Sequence, residues 1–445
     1  MSLRSITEAS ELVRSRDVSP VELVRECLEK IDALNSELNA FITVTAESAL
    51  KEASQAEAEI RSGKWRGRLH GIPVGLKDLI DTAGVRTTAA SAVFENRVPS
   101  KDAEVVKKLR AAGAIIVGKQ NLHEFAYGGS SMISHYGPVR NPANPEHVAG
   151  GSSGGSAAAV VSGMCYAAIG TDTAGSVREP AALCGAVGLK PSHGLISTEG
   201  IIPLSPSLDH AGPITRSVED AAIVLDALTR SDGHYVKSLG AERENWRVGT
   251  PRPFFFEGLD PEVAAAVESA IDEMQCLGCV VVDTEVRVDT DRTLQSAEAY
   301  AFHRDMIRTT PELYHPETLR RLRSGENVTD EQYQSSLREL GHIRKDIEAV
   351  FQSVDFLVTP TTPIPAPRVA DLAANPDELR PAELLLLRNT RPVNVWGLPA
   401  ISVPCGFTSS GLPIGLQIIG PLHREDRVLQ LAFAFERLHR QYLLA

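Results

Sequence analysis

The stretch AGGSSGGSAAAVVSGMCYAAIGTDTAGSVREPAALCG, residues 149–185, decides the fold because it places two serine-containing turns around one helix–strand unit. Ser152 lies in the first turn and Ser176 in the second. The Ala-rich run between them is typical of a helix, and the apolar residues that follow are typical of a short strand. A connection of this length suits a crossover that returns the chain to the same side of a sheet. We therefore expect the two serine turns to lie together.

Helix–strand alternation continues outward from this stretch in both directions. Residues 71–84 (GIPVGLKDLIDTAG) are strand-like, and residues 100–121 (SKDAEVVKKLRAAGAIIVGKQN) indicate a helix, a Gly turn and a buried strand. A second helix–strand pair occupies residues 261–283, and residues 354–367 indicate a strand that runs into a Pro-rich loop. This alternation predicts an α/β fold whose sheet is covered by helices on both faces.

The chain is expected to form a single domain over residues 1–445. Residues 1–65 predict helices, one of them capped by Ser19 with Pro20 in its first turn. These helices are expected to cover the core, the alternative being a homodimer interface. Residues 230–345 are more charged, more helical and poorer in Gly, so they are expected to form an excursion from the core.

The composition is that of a globular protein, with 43% hydrophobic and 23% charged residues. The 45 basic and 57 acidic residues give a net charge of −12, which disfavours nucleic acid as a partner. The longest apolar run, residues 157–170, is shorter than the roughly 20 residues of a membrane-spanning helix. The N-terminus lacks the apolar centre of a secretion signal. We therefore expect a cytoplasmic protein without a membrane partner.

The six cysteines are too scattered to form a disulfide framework. Cys276 and Cys279 form a C-x-x-C pair, but no second pair completes a zinc site. We interpret this pair as a helix end, a Gly turn and a buried strand. The histidines also lack ligand spacing, so neither a metal nor a cofactor is expected.

Lys77 is the first candidate for chemistry, because it is embedded in the apolar segment GIPVGLKDLID (71–81). An apolar environment would desolvate the ammonium group and lower its pKa, which makes a neutral and basic amine. The alternative is a surface lysine whose stem lies along a strand end.

The segment AGGSSGGSAAAV (149–160) is the second candidate, because it opens directly into a helix. It matches the G-x-S-x-G pattern at Ser152 and again at Ser153. A nucleophile elbow needs a buried strand before it, whereas NPANPEHVA (141–149) is a loop broken by Pro and Asn. A phosphate loop needs a following Lys, which is absent here.

The turn around Ser176 contains a candidate nucleophile without a nearby histidine. A serine hydrolase can work without histidine when a neutral lysine takes the proton through a bridging serine. Lys77, Ser152 and Ser176 together supply the three groups that such a mechanism requires.

Four ordered segments carry a family resemblance: residues 71–81, 148–160 and 170–192, with LPAISVPCGF (398–407) and GLPIGLQIIG (411–420) forming the fourth. Together they resemble the amidase signature family, and the similarity extends from about residue 5 to about residue 440. The resemblance implies the amidase signature fold, with a large mixed β-sheet and helices on both faces.

The resemblance also implies a Ser–cisSer–Lys triad. Ser176 would be the nucleophile, Ser152 the bridging serine next to a cis peptide, and Lys77 the general base. Two further groups are implied by position. The oxyanion hole would consist of the backbone N–H groups of Thr173, Ala174, Gly175 and Ser176, and the supporting residues would be Ser153, Thr171, Asp172 and Arg178.

Three positions depart from the family pattern. Ala174 stands where a glycine is usual, so its Cβ requires a negative φ. Glu179 stands where the amidotransferase members of the family carry Gln, and we expect it to pair with Arg178, the alternative being a basic group on the substrate. His123 stands where those members tend to have Asp, and we expect it to shape a loop without a catalytic role.

The acyl pocket is predicted only by side-chain character. The candidate substrate contacts are Phe125, Tyr127, Met132, Glu179 and Trp396, with Ile201, Ile202, Tyr300 and Phe302 as further candidates. Their mainly apolar character favours an aryl or aliphatic acyl group, the alternative being that each belongs to the core.

The sequence thus predicts an amide hydrolase that releases a carboxylic acid and ammonia or an amine from a small-molecule amide, with esters as side substrates. The alternative is the glutaminase (A) subunit of a tRNA-dependent amidotransferase, which works only in a complex. His123, Glu179 and residues 388–400 (RNTRPVNVWGLPA) favour a free-standing enzyme. A non-catalytic relative is disfavoured because all three triad residues are present.

Overall fold

The computed structural model describes residues 3–240 and 245–444. Eleven strands in this part of the chain form one sheet, and two more form a separate small sheet. The strands are β1 (Phe41–Val44), β2 (Pro73–Lys77), β3 (Ile115–Gln120), β4 (Arg140–Asn141), β5 (Asn144–Val148), β6 (Ala167–Asp172), β7 (Val187–Lys190), β8 (His210–Thr215), β9 (Arg247–Thr250), β10 (Val280–Asp283), β11 (Phe356–Pro360), β12 (Ala400–Phe407) and β13 (Pro413–Ile419).

Helices alternate with these strands along most of the chain. The described ranges contain α1 (Ile6–Ser15), α2 (Pro20–Leu38), α3 (Ala46–Arg61), α4 (Glu104–Ala111), α5 (Gly154–Val161), α6 (Arg178–Cys184), α7 (Val218–Thr229), α8 (His234–Ser238), α9 (Arg252–Phe255), α10 (Pro261–Cys276), α11 (Thr293–Thr309), α12 (Pro316–Arg323), α13 (Asp330–Glu348), α14 (Val369–Ala374), α15 (Pro376–Leu386), α16 (Arg391–Trp396) and α17 (Glu425–Leu444). Short 3₁₀ helices lie at Ala92–Phe94, Glu124–Ala126, Pro311–Leu313 and Ala349–Gln352.

The large sheet is mixed. Its strand order is β1-β3-β2-β6-β8-β7-β12-β13-β11-β9-β10. β2 runs parallel to its neighbours β3 and β6, β9 runs parallel to β11 and β10, and the remaining pairs are antiparallel. The predicted α/β fold with a large mixed sheet is therefore confirmed.

Both faces of the sheet are buried, as the alternation along β6 shows. Ala167 and Ile169 belong to a hydrophobic cluster that includes side chains of α1, α4 and α7. Ala168, which points to the opposite face, belongs to a cluster that includes side chains of α3 and α5. A strand that is buried on both faces has a largely continuous apolar sequence. This property explains why the sequence alone indicated the strand β6.

Three helices lie within residues 1–65, where the sequence predicts helices, but the strand β1 between α2 and α3 was not predicted. Ser19 Oγ accepts a hydrogen bond from Glu22 N at 3.1 Å, and the Glu22 carboxylate accepts one from Ser19 N at 2.6 Å. This reciprocal capping box, with Pro20 as the first helical residue, starts α2 at the predicted position. α2 then buries an apolar stripe that includes Leu23 and Cys27 in the core.

Residues 230–345 were predicted to form an excursion from the core, but part of this segment belongs to the main sheet. Most of the segment is helical, but β9 and β10 extend the main sheet at its edge. The strand that follows Cys279 was predicted to be buried, and this is wrong: Val280 is 52% exposed. The physical reason is that β10 is the edge strand of the sheet and, among the described residues, pairs with β9 alone.

The sheet topology positions the candidate site. β2 ends at Lys77 and β6 ends at Asp172, and because these strands are parallel neighbours, both ends meet at one edge of the sheet. α5 begins just after Ser152 and α6 just after Ser176. None of the helices in the described part of the chain has the length and apolar character needed to cross a membrane.

We predict that Ser19→Ala lowers the free energy of unfolding by about 1 kcal/mol, because it removes the acceptor that caps α2. The matched control is Ser36→Ala, an exposed position within the same helix, which should not destabilise the protein. Denaturant unfolding followed by circular dichroism measures both. Equal midpoints for the two variants would contradict the capping role.

Candidate active site

Lys77 is completely buried at the end of β2. Its Nζ lies 2.7 Å from Ser152 Oγ and 2.9 Å from Thr171 Oγ1. Burial lowers the pKa of Lys77 to about 7, although the negative charges of Asp172 and Asp209 act to raise it. The desolvated lysine predicted from the sequence is confirmed, and the alternative of a surface lysine is wrong.

Ser152 lies in a loop that is held from two sides. The Gly151–Ser152 peptide bond is cis, so the cis peptide precedes the serine. The backbone oxygen of Ser152 accepts a hydrogen bond from His123 N at 3.1 Å. The N–H of Gly151 donates to Glu179 Oε2 at 2.7 Å. These bonds fix the segment whose hydroxyl faces Lys77.

The two serine turns meet, as the crossover argument predicts. The N–H of Ser153 donates to the backbone oxygen of Ser176 at 3.2 Å. The hydroxyl of Ser153 donates to the backbone oxygen of Thr171, also at 3.2 Å. Ser176 is 4% exposed, so the candidate nucleophile is buried where the two turns meet.

Asp172 and Arg178 brace the loop that carries Ser176. Arg178 Nε and Nη2 donate to the two Asp172 oxygens at 3.0 and 2.9 Å, and both residues are fully buried. Burial alone would raise the pKa of Asp172, but the charge and hydrogen bonds of Arg178 hold it well below its usual range. Asp172 also accepts the N–H groups of Gly175 and Val177 at 2.8 and 3.2 Å.

The remaining contacts of Arg178 lie far along the chain. Its Nη1 donates to Gln417 Oε1 at 2.6 Å, and its Nη2 donates to Asn394 Oδ1 at 2.6 Å. Asn394 in turn donates to Asp172 Oδ1 at 2.8 Å. The sequence did not single out Gln417 or Asn394, because nothing local to either one indicates its partner.

The N–H groups of the oxyanion loop divide into two kinds. That of Gly175 is engaged by Asp172, whereas those of Thr173, Ala174 and Ser176 have no acceptor among the described residues. The Ala174 backbone has a negative φ, and the positive φ of 132° falls on Gly175. The loop thus accommodates an alanine at position 174, because the backbone of that residue stays outside the left-handed region.

Glu179 does not pair with Arg178, so the prediction of an ion pair between these two residues is wrong. The two side chains point in different directions: Arg178 towards Asp172, and Glu179 towards the backbone of Gly150 and Gly151. Glu179 is completely buried and its Oε1 has no partner among the described residues. Burial raises the pKa of Glu179 well above its usual range, which favours a neutral carboxylic acid in this loop.

His123 also lies fully buried beside the site. Its Nδ1 is 3.3 Å from Glu383 Oε1, and burial lowers the pKa of His123 well below its usual range. Ser130 Oγ donates to the same Glu383 oxygen at 2.6 Å. His123 therefore supports the loop that contacts Ser152, as the sequence led us to expect.

Several of the predicted substrate contacts are core residues in the structure. Phe125 packs edge-on to His303 with 4.3 Å between ring centres, and Trp396 packs near Phe255 at 5.9 Å. Both are at most 2% exposed. Tyr127 is 4% exposed and Met132 is half-buried in a separate apolar cluster. Tyr300 bonds to Glu326, and Phe302 is 36% exposed.

A small cavity of about 70 Å³ adjoins the site. Ile201 and Ile202 line it, as the sequence suggested, together with Thr171 and Thr173. The hydroxyl of Thr173 donates a hydrogen bond to Asp209 Oδ1 at 2.6 Å. Sequence reasoning missed the rest of the wall, which consists of Ala126, Thr198, Pro203, Leu204, Pro206, Asp209 and His210.

Within the described ranges, no group of three His, Cys, Asp or Glu side chains could hold a metal ion.

Comparison with known proteins identifies the family. The amidase family model matches residues 22–429. The chain belongs to the amidase family. The amidase is 38% identical to the A subunit of the glutamyl-tRNA(Gln) amidotransferase of Syntrophus aciditrophicus, over 97% of this chain and 96% of that protein. It therefore acts on amide carbon–nitrogen bonds.

Solved structures agree with this assignment. A crystal structure of an amidase superposes on this amidase with a TM-score of 0.89 at 33% identity, covering 98% of this chain and 99% of the other. The peptide amidase of Stenotrophomonas maltophilia gives a TM-score of 0.83 at 30% identity, covering 98% and 97%. The amidase signature fold implied by the sequence motifs is confirmed.

We predict that Glu179→Leu lowers kcat for amide hydrolysis at least tenfold, because the buried N–H of Gly151 then lacks an acceptor and the Ser152 segment shifts. Glu179→Gln keeps an acceptor oxygen at the same place, so it should retain most of the activity. Steady-state kinetics on both variants measure the difference, and thermal melting shows whether each is folded. Equal activity of two folded variants would contradict the positioning role.

Proposed function

We propose that the protein is a serine amidase that uses Ser176 as nucleophile, Ser152 as proton bridge and Lys77 as general base. The observation that carries the proposal is the contact of 2.7 Å between Lys77 Nζ and Ser152 Oγ at a completely buried position. A lysine with a pKa of about 7 is largely neutral in slightly alkaline solution, so its lone pair can accept a proton.

The first half of the reaction forms an ester with Ser176. Its Oγ attacks the amide carbonyl carbon and gives its proton to Ser152, which gives its own proton to Lys77. The tetrahedral intermediate then collapses, the carbon–nitrogen bond breaks, and the leaving nitrogen takes a proton back from Lys77 through Ser152. Ammonia or an amine is released.

Hydrolysis of the ester completes the cycle. A water molecule gives a proton to the same relay and attacks the ester carbonyl, and Ser176 leaves with a proton. The carboxylic acid is released. An ester substrate would enter the same route, with an alcohol leaving in place of the amine.

The negative charge on the carbonyl oxygen needs donors that are already in place. The N–H groups of Thr173, Ala174 and Ser176 have no acceptor among the described residues and belong to the loop that carries the nucleophile. That of Gly175 serves the loop itself through Asp172. We therefore assign the oxyanion hole chiefly to the first three. One such donor typically contributes about 2.7–4 kcal/mol to lowering the barrier.

A second candidate is the glutaminase component of a tRNA-dependent amidotransferase. It is favoured by the similarity to the A subunit of glutamyl-tRNA(Gln) amidotransferase, which for the Synechococcus protein reaches 40% identity over 97% of this chain and 96% of that protein. A glutaminase of this kind works on glutamine within a complex. The two candidates share the same three residues, so partner dependence and substrate choice separate them.

We predict that Ser176→Ala abolishes both amide hydrolysis and covalent labelling by a fluorophosphonate probe, because no other hydroxyl takes the place of the nucleophile. Mass spectrometry of the labelled protein identifies the modified residue. Ser100→Ala, at an exposed position, is the matched control and should label normally. Undiminished labelling of the Ser176 variant would exclude the proposed nucleophile.

We predict that kcat/KM rises as the pH increases through about 7 and then levels off, because Lys77 accepts a proton only in its neutral form. The measurement is kcat/KM on one neutral amide between about pH 5.5 and 9. A profile that stays flat over this range would contradict the role of Lys77 as the base.

Assays of the purified chain alone separate the two candidate functions. Hydrolysis of simple amides without any partner supports the free-standing amidase. Glutamine hydrolysis that appears only after other subunits are added supports the amidotransferase component.

A further inference from the structure

The backbone oxygens of the oxyanion loop are held by side chains from a distant part of the chain. The oxygen of Ala174 accepts a hydrogen bond from Thr390 Oγ1 at 2.7 Å. The oxygen of Asp172, where the loop begins, accepts one from Asn394 Nδ2 at 2.9 Å, and His210 Nδ1 lies 3.1 Å from the same oxygen. Thr390 directly precedes α16 and Asn394 lies within it, so one short helix contacts the loop at two points. Thr390 and Asn394 are both completely buried.

Held oxygens determine where the N–H groups of the loop point. The peptide bonds of the loop are trans, and in a trans peptide the C=O and the N–H point in opposite directions. The contacts of the Asp172 oxygen therefore direct the N–H of Thr173 away from α16. The oxygen of Gly175 accepts from Glu179 N at 2.7 Å, which directs the N–H of Ser176 away from α6.

The peptide between Ala174 and Gly175 is held at both ends. Thr390 binds its oxygen, and its N–H donates to Asp172 Oδ1 at 2.8 Å. On either side of this peptide lie the N–H groups of Ala174 and Ser176, which have no acceptor among the described residues. Consecutive peptide planes share a Cα atom, so a rotation of the central peptide would change the direction of both neighbouring N–H groups.

Thr390 is packed directly against the loop. The φ of Gly175 is 132°, and a Cβ at that position would overlap the Thr390 side chain. The Thr390 hydroxyl has one proton, and its other contact, with the oxygen of Leu387, is longer at 3.2 Å. The backbone oxygen of Thr390 also accepts from Arg178 Nη1 at 3.0 Å. Thr390 thus contacts both the loop and the arginine that braces it.

The glycine in this loop makes the bond from Thr390 necessary. Gly175 has no Cβ, so its backbone has access to more conformations than that of any other residue. Asp172 restrains one end of the peptide that precedes Gly175, and Thr390 restrains the other. Without the hydroxyl of Thr390, the oxygen end of this peptide would lose its only side-chain hydrogen bond within the described ranges.

We propose that Thr390 is a positioning residue for the oxyanion hole. Its hydroxyl fixes the peptide between Ala174 and Gly175, so that the N–H groups of Ala174 and Ser176 are aimed at the oxyanion before the charge develops. The proposal rests on the function proposed above. It adds a residue that is 216 positions from Ala174 along the chain and acts only through the backbone of the loop.

The rate of labelling by a fluorophosphonate measures this effect on the purified full-length protein. Ser176 Oγ forms a bond to phosphorus, the phosphorus–fluorine bond breaks and fluoride leaves, while the serine proton passes to Lys77 through Ser152. Negative charge develops on the phosphoryl oxygen, which takes the place of the carbonyl oxygen of an amide. The rate therefore depends on the oxyanion hole, and the measurement does not require the natural substrate.

Thr390→Val keeps the shape of the side chain and removes the donor. Outright loss of an oxyanion donor typically lowers the rate by about 10²–10³-fold, so misalignment of donors that remain should slow labelling by about tenfold. Thr390→Ser should restore the rate, and Thr390→Cys, whose S–H is a weak donor, should give an intermediate rate.

Thr215→Val is the matched control. It also removes a completely buried threonine hydroxyl that donates to a backbone oxygen, that of Ser217, at 2.8 Å. Thr215 pairs with Ala167 at the start of β6, which is the opposite edge of the sheet from the site. This variant should label at the rate of the unmodified protein.

The pH dependence of labelling separates positioning from general damage to the site. Lys77 sets the midpoint of the profile near pH 7, and Thr390→Val leaves the contact between Lys77 and Ser152 in place. We therefore expect slower labelling with the same midpoint. A shifted midpoint, or a slow rate that Thr390→Ser does not restore, would overturn the positioning role.

The remaining outcomes distinguish this inference from the proposed function. Thermal melting shows which variants are folded. Labelling of folded Thr390→Val at the rate of the unmodified protein would overturn the inference and leave the function intact. If Thr390→Val does not fold, equal rates for folded Thr390→Ser and Thr390→Cys would overturn it in the same way. Absence of labelling in the unmodified protein, or labelling that survives Ser176→Ala, would instead count against the proposed function.

Discussion

The buried ion pair between Asp172 and Arg178 is the constraint on which the site depends. Asp172 ends a central strand and Arg178 begins the next helix, so the pair spans the loop that carries Ser176. Both partners are completely buried, and removal of one partner from such a pair typically costs about 3–5 kcal/mol. The same arginine binds Gln417 and Asn394, so the C-terminal part of the chain takes part in holding the loop.

The chemistry of Lys77 depends on this packing as much as on the residue itself. Its side chain is enclosed by the ends of β2 and β6 and by the Ser152 loop. Burial alone would make any lysine more acidic, but here the hydroxyl of Ser152 also lies within hydrogen-bond distance of the amine, as the proposed proton relay requires. The parallel pairing of β2 and β6 therefore both positions Lys77 and removes its side chain from water.

How far the sequence could predict the structure follows from the range of each interaction. The capping of α2 by Ser19 and the strand of residues 167–172 depend on neighbours along the chain, so composition and period disclose them. The partner of Arg178 depends on side-chain direction, and the adjacent Glu179 was wrongly preferred. The exposure of Val280 depends on where its strand falls in the sheet, which no local pattern encodes.

The burial of Lys77 also couples proton binding to folding. Its pKa is about 7 in the folded protein and near the ordinary value of 10.5 in the unfolded chain. Between these values the unfolded chain binds a proton that the folded protein does not, so stability declines as the pH falls from 10.5 towards 7. The full deficit is on the order of 5 kcal/mol. The rest of the fold has to offset it, and the proposed base is thus a residue that the fold would be more stable without.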